Sequence, residues 1–462
     1  MSIFVGPTGS MKPTFFCTMK SNRVFCLAAV LLLLVPVTVF ALPRFALMGG
    51  DIDCRGCHLD PTGGRLRTDG GDHFAAKVLA MWPSHSPFSA DIGKGIRIGV
   101  DWRSQFLYFG DHITFPSNYA ALGHTRGDTM NRASGALEMA LPIYFSAQLS
   151  DAVQAFAKVD PILSPITSNS WEAYAIVHFV HSSGEFLQSG SVVGDAYLKV
   201  GAFYPAFGIR FDDHTVYTRG GNAAASGFGA AGLFWQPDYK DEGAELGVEL
   251  FDHAFVTADL LNGNEGAGFG APGQSQVFKD NPFGPYAVSL RGIVSTGPLL
   301  DRQLSAEIGG SLYLHTVQNI QRQGSSAADS TAQTMLAAIH GGLHVGPVAI
   351  LAEADLGHYI YHIVTGGYSD TVHALAIEGT VNIVKGLTGL LRFETYSDGS
   401  HDSTETNITS RFTVGFQWFP VRYLEVRPEF RIARGTTTIP GDAIQTEGHT
   451  ETTALIQTHI FF

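Results

Sequence analysis

The chain has 462 residues, of which 45 % are hydrophobic, 15 % are charged and 53 are glycine, and its formal net charge is −13. It is too apolar for a disordered chain, and after residue 42 its apolar runs are too short for a helical membrane protein. The acidic balance disfavours nucleic acid as a partner and suits cations.

The first predicted element is an export signal over residues 1–41. Lys20 and Arg23 precede the apolar run FCLAAVLLLLVPVTVF, and Val39-Phe40-Ala41 resembles a small-residue cleavage site. The alternative is a membrane anchor, for which about 16 residues with Pro36 inside them are short. Cleavage removes Lys12, Lys20 and Arg23 and takes the charge from −13 to −16. Of the four cysteines only Cys54 and Cys57 then remain, which excludes a disulfide framework and a four-thiolate zinc site.

Residues 42–93 are expected to form a small haem-binding segment. Cys54, Cys57 and His58 spell Cys-x-x-Cys-His, the attachment signature of one covalent haem c. The two thiols reach one edge of the porphyrin, and the next residue supplies the proximal imidazole. Export fits this chemistry; a Cys-x-x-Cys redox pair is the alternative and needs no histidine. The Gly-rich PTGGRLRTDGG at 61–71 predicts a tight wrap. Its Arg65 and Arg67 are candidates to pair with haem propionates, or are charges on a solvated turn. A short helix is predicted over Gly71–Trp82, with His73 and Met81 on nearly one face. Met81 and His73 are the leading candidates for the second axial ligand, His85 and Met48 further ones, and an open site is the remaining option.

From 94 to 462 one texture repeats. Segments of roughly 10–15 residues alternate apolar and polar, as in IRIGVDWRSQFLYFG, GALEMALPIYFSAQL and LEVRPEFRIARG, which is the period of a strand. That length suits a tilted bilayer crossing better than a soluble sandwich. Tight connections at Ser150, Asp252, Ser295, Gly346, Val384 and Phe419 alternate with long polar ones at 110–131, 264–283, 317–332, 398–407 and 434–449. This is the pattern of an all-β, transmembrane antiparallel barrel in a bacterial outer membrane, in contact with its lipid. Direct counting gives about seventeen segments, yet both ends of such a barrel share one side, which requires an even number. Removing SGFGAAGLFWQPD restores parity: about sixteen strands, with 204–242 as one loop between strands five and six, folded inward as a constriction.

That loop carries Asp212, Asp213 and His214, a hard-ligand set that suits a divalent ion such as iron, or charges that pair with one another. Arg210 and Arg219 are candidates to line the constriction. His340/His344 and His358/His362 are four apart, but in strands that spacing only shares a face. No nucleophile elbow, phosphate loop or dinucleotide motif occurs.

Together the signal, Cys54-x-x-Cys57-His58, the Gly-rich turn, Phe74 and the barrel pattern resemble the fused monohaem cytochrome–porin family of bacterial outer membranes, whose members include iron oxidases. The chain departs from the iron-oxidase pattern in having GGDHF at Gly70–Phe74 where that pattern has Phe-Gly-Arg-x-Phe. The resemblance implies electron transfer through the outer membrane. One haem in or under the lumen would link an extracellular couple, such as Fe(II)/Fe(III), to a periplasmic cytochrome. A metal oxidoreductase activity is the enzymatic form of that expectation. A diffusion porin with a regulatory or structural haem segment is the alternative.

Overall fold

The computed structural model describes residues 46–47, 54, 56–64, 66–82, 90–114, 129–162, 171–180, 193–209, 216–219, 241–251, 253–262, 277–278, 287–300, 303–318, 320–321, 331–362, 368–400, 406–439 and 445–462. The expected signal at 1–41 lies outside them.

The alternating segments form strands β1 (Ile96–Thr114), β2 (Thr129–Ala140, resuming as Ile143–Ser150), β3 (Val153–Val159), β4 (Trp171–Val180), β5 (Val193–Phe203), β6 (Asp241–Leu250), β7 (Ala254–Leu261) and β8 (Ala287–Ser295). They continue as β9 (Leu304–Gln318), β10 (Thr331–Val345), β11 (Val348–His362), β12 (Tyr368–Val384), β13 (Leu387–Ser400), β14 (Thr406–Val421), β15 (Leu424–Ile439) and β16 (Gln445–Phe461). Each pairs antiparallel with the next, and β16 returns to β1 in register from Phe461 opposite Asp101 to Gly448 opposite Thr114. The result is a closed 16-strand barrel. Closure leaves no sheet edge, so every ladder group is paired where the wall meets lipid.

Side chains obey the two-residue period. Along β14, Phe412, Val414 and Phe416 stand exposed on the outer face, while Arg411, Thr413 and Gln417 are buried inside. Leu391 and Phe393 face out on β13 beside inward Arg392 and Glu394. An apolar outside over a polar inside is the lipid-facing arrangement of an outer-membrane barrel. The wall is uneven in height. Strands β9–β16 run 14 to 17 residues, whereas β3 has 7 and β7 has 8.

β5 ends at Phe203 and β6 begins at Asp241, and the two pair directly with each other; of the loop expected between them, residues 210–215 and 220–240 lie outside the described residues. Three expectations need correction. GALEMALPIYFSAQL is not one uninterrupted strand. Pro142 has no N–H for the ladder, β2 breaks there, and its two halves pair separately with β1. The turn expected at Phe419-Pro420-Val421 lies two residues later, because β14 runs through Pro420 with a register shift before Val421. The helix is α1 (Asp69–Phe74), followed by a π-turn over Ala75–Leu79. Thr68 caps it early by accepting from the Gly71 N–H, and Ala80 is already extended. Met81 therefore lies beyond the helix and does not share a helical face with His73.

Candidate functional site

Two segments enter the lumen. The first is the connection leaving β5. Ser289 Oγ donates to the Ala206 carbonyl at 3.0 Å, and the Gly208 N–H donates to Ser311 Oγ at 2.9 Å. Arg291 Nε donates to the Gly208 carbonyl at 3.0 Å, and the Ile209 N–H donates to Glu353 Oε2 at 2.8 Å. Tyr217 donates its N–H to Glu394 Oε1 at 2.9 Å. Arg411 lies over the Tyr217 ring, 4.3 Å from its centroid. Burial pushes the Tyr217 hydroxyl up to about 12, with Arg411 opposing. The loop thus crosses from β5 past β8, β9 and β11 to β13 and β14. Buried Tyr204, Phe207 and Tyr217 join inward aromatics such as Tyr174, Tyr197 and Tyr313 in one apolar cluster inside the barrel.

The second is the N-terminal segment. Cys57 and His58 donate their N–H groups to the Cys54 carbonyl at 3.1 and 2.7 Å, forming one tight turn. The strand-like bridge between His58 and Arg67 closes the Gly-rich wrap. Gly63 has φ +91°, and a Cβ there would stand 2.6 Å from Cys54 Sγ, so the wrap needs glycine at that point. As a donor set, two half-buried thiols and an imidazole on one turn have the chemistry that a covalent haem requires.

The wrap is held by the barrel wall. Asp60 is fully buried and accepts from Thr62 N–H at 2.9 Å, Thr62 Oγ1 at 2.7 Å, Lys199 Nζ at 3.1 Å and Tyr174 OH at 2.7 Å. Leu66 packs so close to Gly99 of β1 that a Cβ would meet its side chain. Arg67 donates to the Phe461 carbonyl at 3.5 Å, its guanidinium lies 4.4 Å from the Phe461 ring centroid, and Asp72 is 3.9 Å away. Burial pulls the Arg67 guanidinium below its ordinary value, with Asp72 and Asp101 pulling back. Arg97 ties the same region down through the Arg67 carbonyl at 3.1 Å and through Asp69. Further back, the Leu47 carbonyl accepts from Ser305 Oγ, and Leu47 packs on Ile209 and Leu351.

The segment leaves over the rim. Met81 and Trp82 donate their N–H groups to the Phe419 and Pro420 carbonyls at 2.8 and 3.0 Å. Trp82 meets Trp418 edge-on at 6.0 Å. Gly386, in the β12–β13 turn, has φ +80°, and a Cβ there would lie 2.6 Å from Met81 Cβ. Gly386→Ala is therefore expected to destabilise the rim contact by about 1–3 kcal/mol. A lowered thermal midpoint in detergent together with easier proteolysis after Met81 would register it; an unchanged midpoint would deny the contact.

Of the sequence-derived candidates, Cys54, Cys57, His58 and Arg67 share one wrap, His73 is exposed on α1, and Met81 sits at the rim. Arg65, Asp212, Asp213, His214, Arg210, His85 and Met48 lie outside the described residues. His340 and His344 face the lumen on β10 and are buried. No group of three His, Cys, Asp or Glu among the described residues could hold a metal ion. Sequence reasoning missed Asp60, Tyr174, Lys199 and Glu245. The one local signal was an acid, Asp60, with Thr62 two residues on, the pattern of a side-chain-capped turn.

These features define a porin-like outer-membrane barrel with a seated N-terminal segment. No protein-family model matches the sequence, and no curated protein does. Among solved structures, the outer membrane channel DcaP of Acinetobacter baumannii is similar at 12 % identity and TM-score 0.45, over 78 % of this chain and 97 % of that one. The anion-selective porin from Comamonas acidovorans gives 11 % and 0.43, over 79 % and 99 %. OmpT, an outer membrane protein of Vibrio cholerae, gives 11 % and 0.43, over 80 % and 98 %. These likenesses are distant, and the barrel stands on its own strand ladder.

Proposed function

We propose that this porin-like barrel carries one c-type haem on the seated segment and passes electrons across the outer membrane. The partners on this reading are an extracellular metal couple such as Fe(II)/Fe(III) and a periplasmic cytochrome. The observation that supports it is the building of the Cys54–His58 turn into the barrel: Asp60, two residues past His58, is held by Lys199 and Tyr174 of the wall. Cys54 and Cys57 would hold the group through thioether links and His58 would bind its iron, with His73 and Met81 as the candidates for a further iron ligand. Bound haem supplies a one-electron couple. The chain supplies the position: Leu66, Arg67 and Met81 fix the segment to strands whose closed ladder alone can cross lipid.

A second reading, a diffusion porin whose haem segment regulates or braces the mouth, is favoured by the contacts of residues 204–209 and Tyr217 with the inner wall, which suit a constricting loop. The barrel observations support this second reading more directly than the first. Expression with haem maturation separates them. On the first reading the purified protein has reduced c-type absorbance bands that Cys54→Ala/Cys57→Ala removes, and external ferric iron reoxidises it. Solute flux in liposomes that exceeds a closed-barrel control, with no electron exchange, supports the second reading and contradicts the first.

A further inference from the structure

The inner wall beside Asp60 holds more acid than its cation can balance. Lys199 on β5, Glu245 on β6 and Asp259 on β7 stand directly opposite one another in register, with Ser289 of β8 next in the row. Lys199 and Glu245 have 0 % exposure and Asp259 has 1 %. Among the described residues, one ammonium thus pairs with Asp60 and Glu245, and a third carboxyl group, Asp259, stands opposite Glu245. Like charges directly opposite on adjacent strands repel, and the interior does not screen them.

The hydrogen bonds show where the imbalance lies. Asp60 is fully served as an anion by Thr62, Lys199 and Tyr174. On Glu245, Lys199 Nζ at 2.8 Å and Tyr197 OH at 2.8 Å both reach Oε1. Oε2 of Glu245 and both carboxylate oxygens of Asp259 are buried with no donor at hydrogen-bonding geometry among the described residues. The register of β6 and β7 sets these two buried carboxyl groups directly opposite each other. The remaining charged side chain on the neighbouring strand, Arg291 of β8, is spent on the Gly208 carbonyl. Among the described residues, acceptor therefore stands opposite acceptor.

We propose that Asp259 and Glu245 form a proton-binding site in the lumen wall, with one proton carried on Asp259 and donated to Glu245 Oε2. The site is coupled to the segment that Lys199 holds. Seating Asp60 brings a further anion next to the pair and strengthens proton binding; by reciprocity the bound proton strengthens seating. Losing the proton at high pH places another negative charge beside Lys199 and draws it away from Asp60.

Asp259→Asn tests this, because the amide has the carboxyl's shape and donates permanently to Oε2. The wild type is expected to show an infrared protonated-carboxyl C=O band at neutral pH that shifts in D2O and is absent from Asp259→Asn. Its bilayer conductance should rise as pH rises and the segment loosens. Asp259→Asn should fold, keep the segment seated and lose that pH dependence. Absence of the band, or a band that survives in Asp259→Asn, overturns the proposal. So does a seat that is lost when sodium and potassium are replaced by choline, since a metal cation and not a proton would then bridge the oxygens.

Discussion

Lys199→Met is expected to destabilise the folded barrel by about 3–5 kcal/mol, the usual cost of leaving a buried ion partner uncompensated. The side chain has no exposure and bridges Asp60 of the segment at 3.1 Å to Glu245 of the wall at 2.8 Å. Its removal strands the anionic Asp60 among Tyr174, Thr62 and apolar neighbours. Denaturant titration of the refolded protein in detergent measures the loss, and release of the segment to protease measures its location. Asp60→Asn in the same chain should recover part of the stability, because the double variant has neither charge at that contact. A double variant as unstable as Lys199→Met alone would show that Lys199 acts on Glu245 only.

Glu394→Ala should act on the other lumen segment. Glu394 accepts two hydrogen bonds from Arg411, at 2.8 and 2.9 Å, and the Tyr217 N–H at 2.9 Å, with no exposure to solvent. Truncation leaves Arg411 without its carboxylate and Tyr217 without its acceptor. About 3–5 kcal/mol of anchoring is at stake, enough to free the loop from β13 and β14. Single-channel conductance should rise and residues around Tyr217 should become cleavable, with β-sheet circular dichroism retained. Unchanged conductance would show that the loop does not constrict the path.

The barrel was legible in the sequence because its information is local. Period-two alternation, short turns such as Gly346 and Lys385-Gly386, and the parity of strand ends sufficed to give sixteen strands and the inward course of the chain just after Phe203. The misreadings were local too. Pro420 looks like a turn residue, yet β14 runs through it, and the exposed Phe419 and Pro420 carbonyls receive Met81 and Trp82. The helix forecast ran too long because nothing local announces the π-turn after Phe74. The seat was illegible for a different reason. Asp60, Tyr174, Lys199, Glu245 and Asp259 spread over 200 residues, and only barrel register brings them to one place. In their own strands they read as ordinary lumen-facing polar positions. The Cys54-x-x-Cys57-His58 motif was conspicuous, whereas the residue that fixes it in the wall, Asp60, was not.

Electron flow across a sealed membrane tests the central claim most directly. The matured protein would be placed in liposomes enclosing a reduced c-type cytochrome, with a ferric complex added outside. Oxidation of the enclosed cytochrome that depends on the barrel and disappears in Cys54→Ala/Cys57→Ala is the predicted result. A cytochrome that stays reduced while small solutes pass through the same barrel would contradict it.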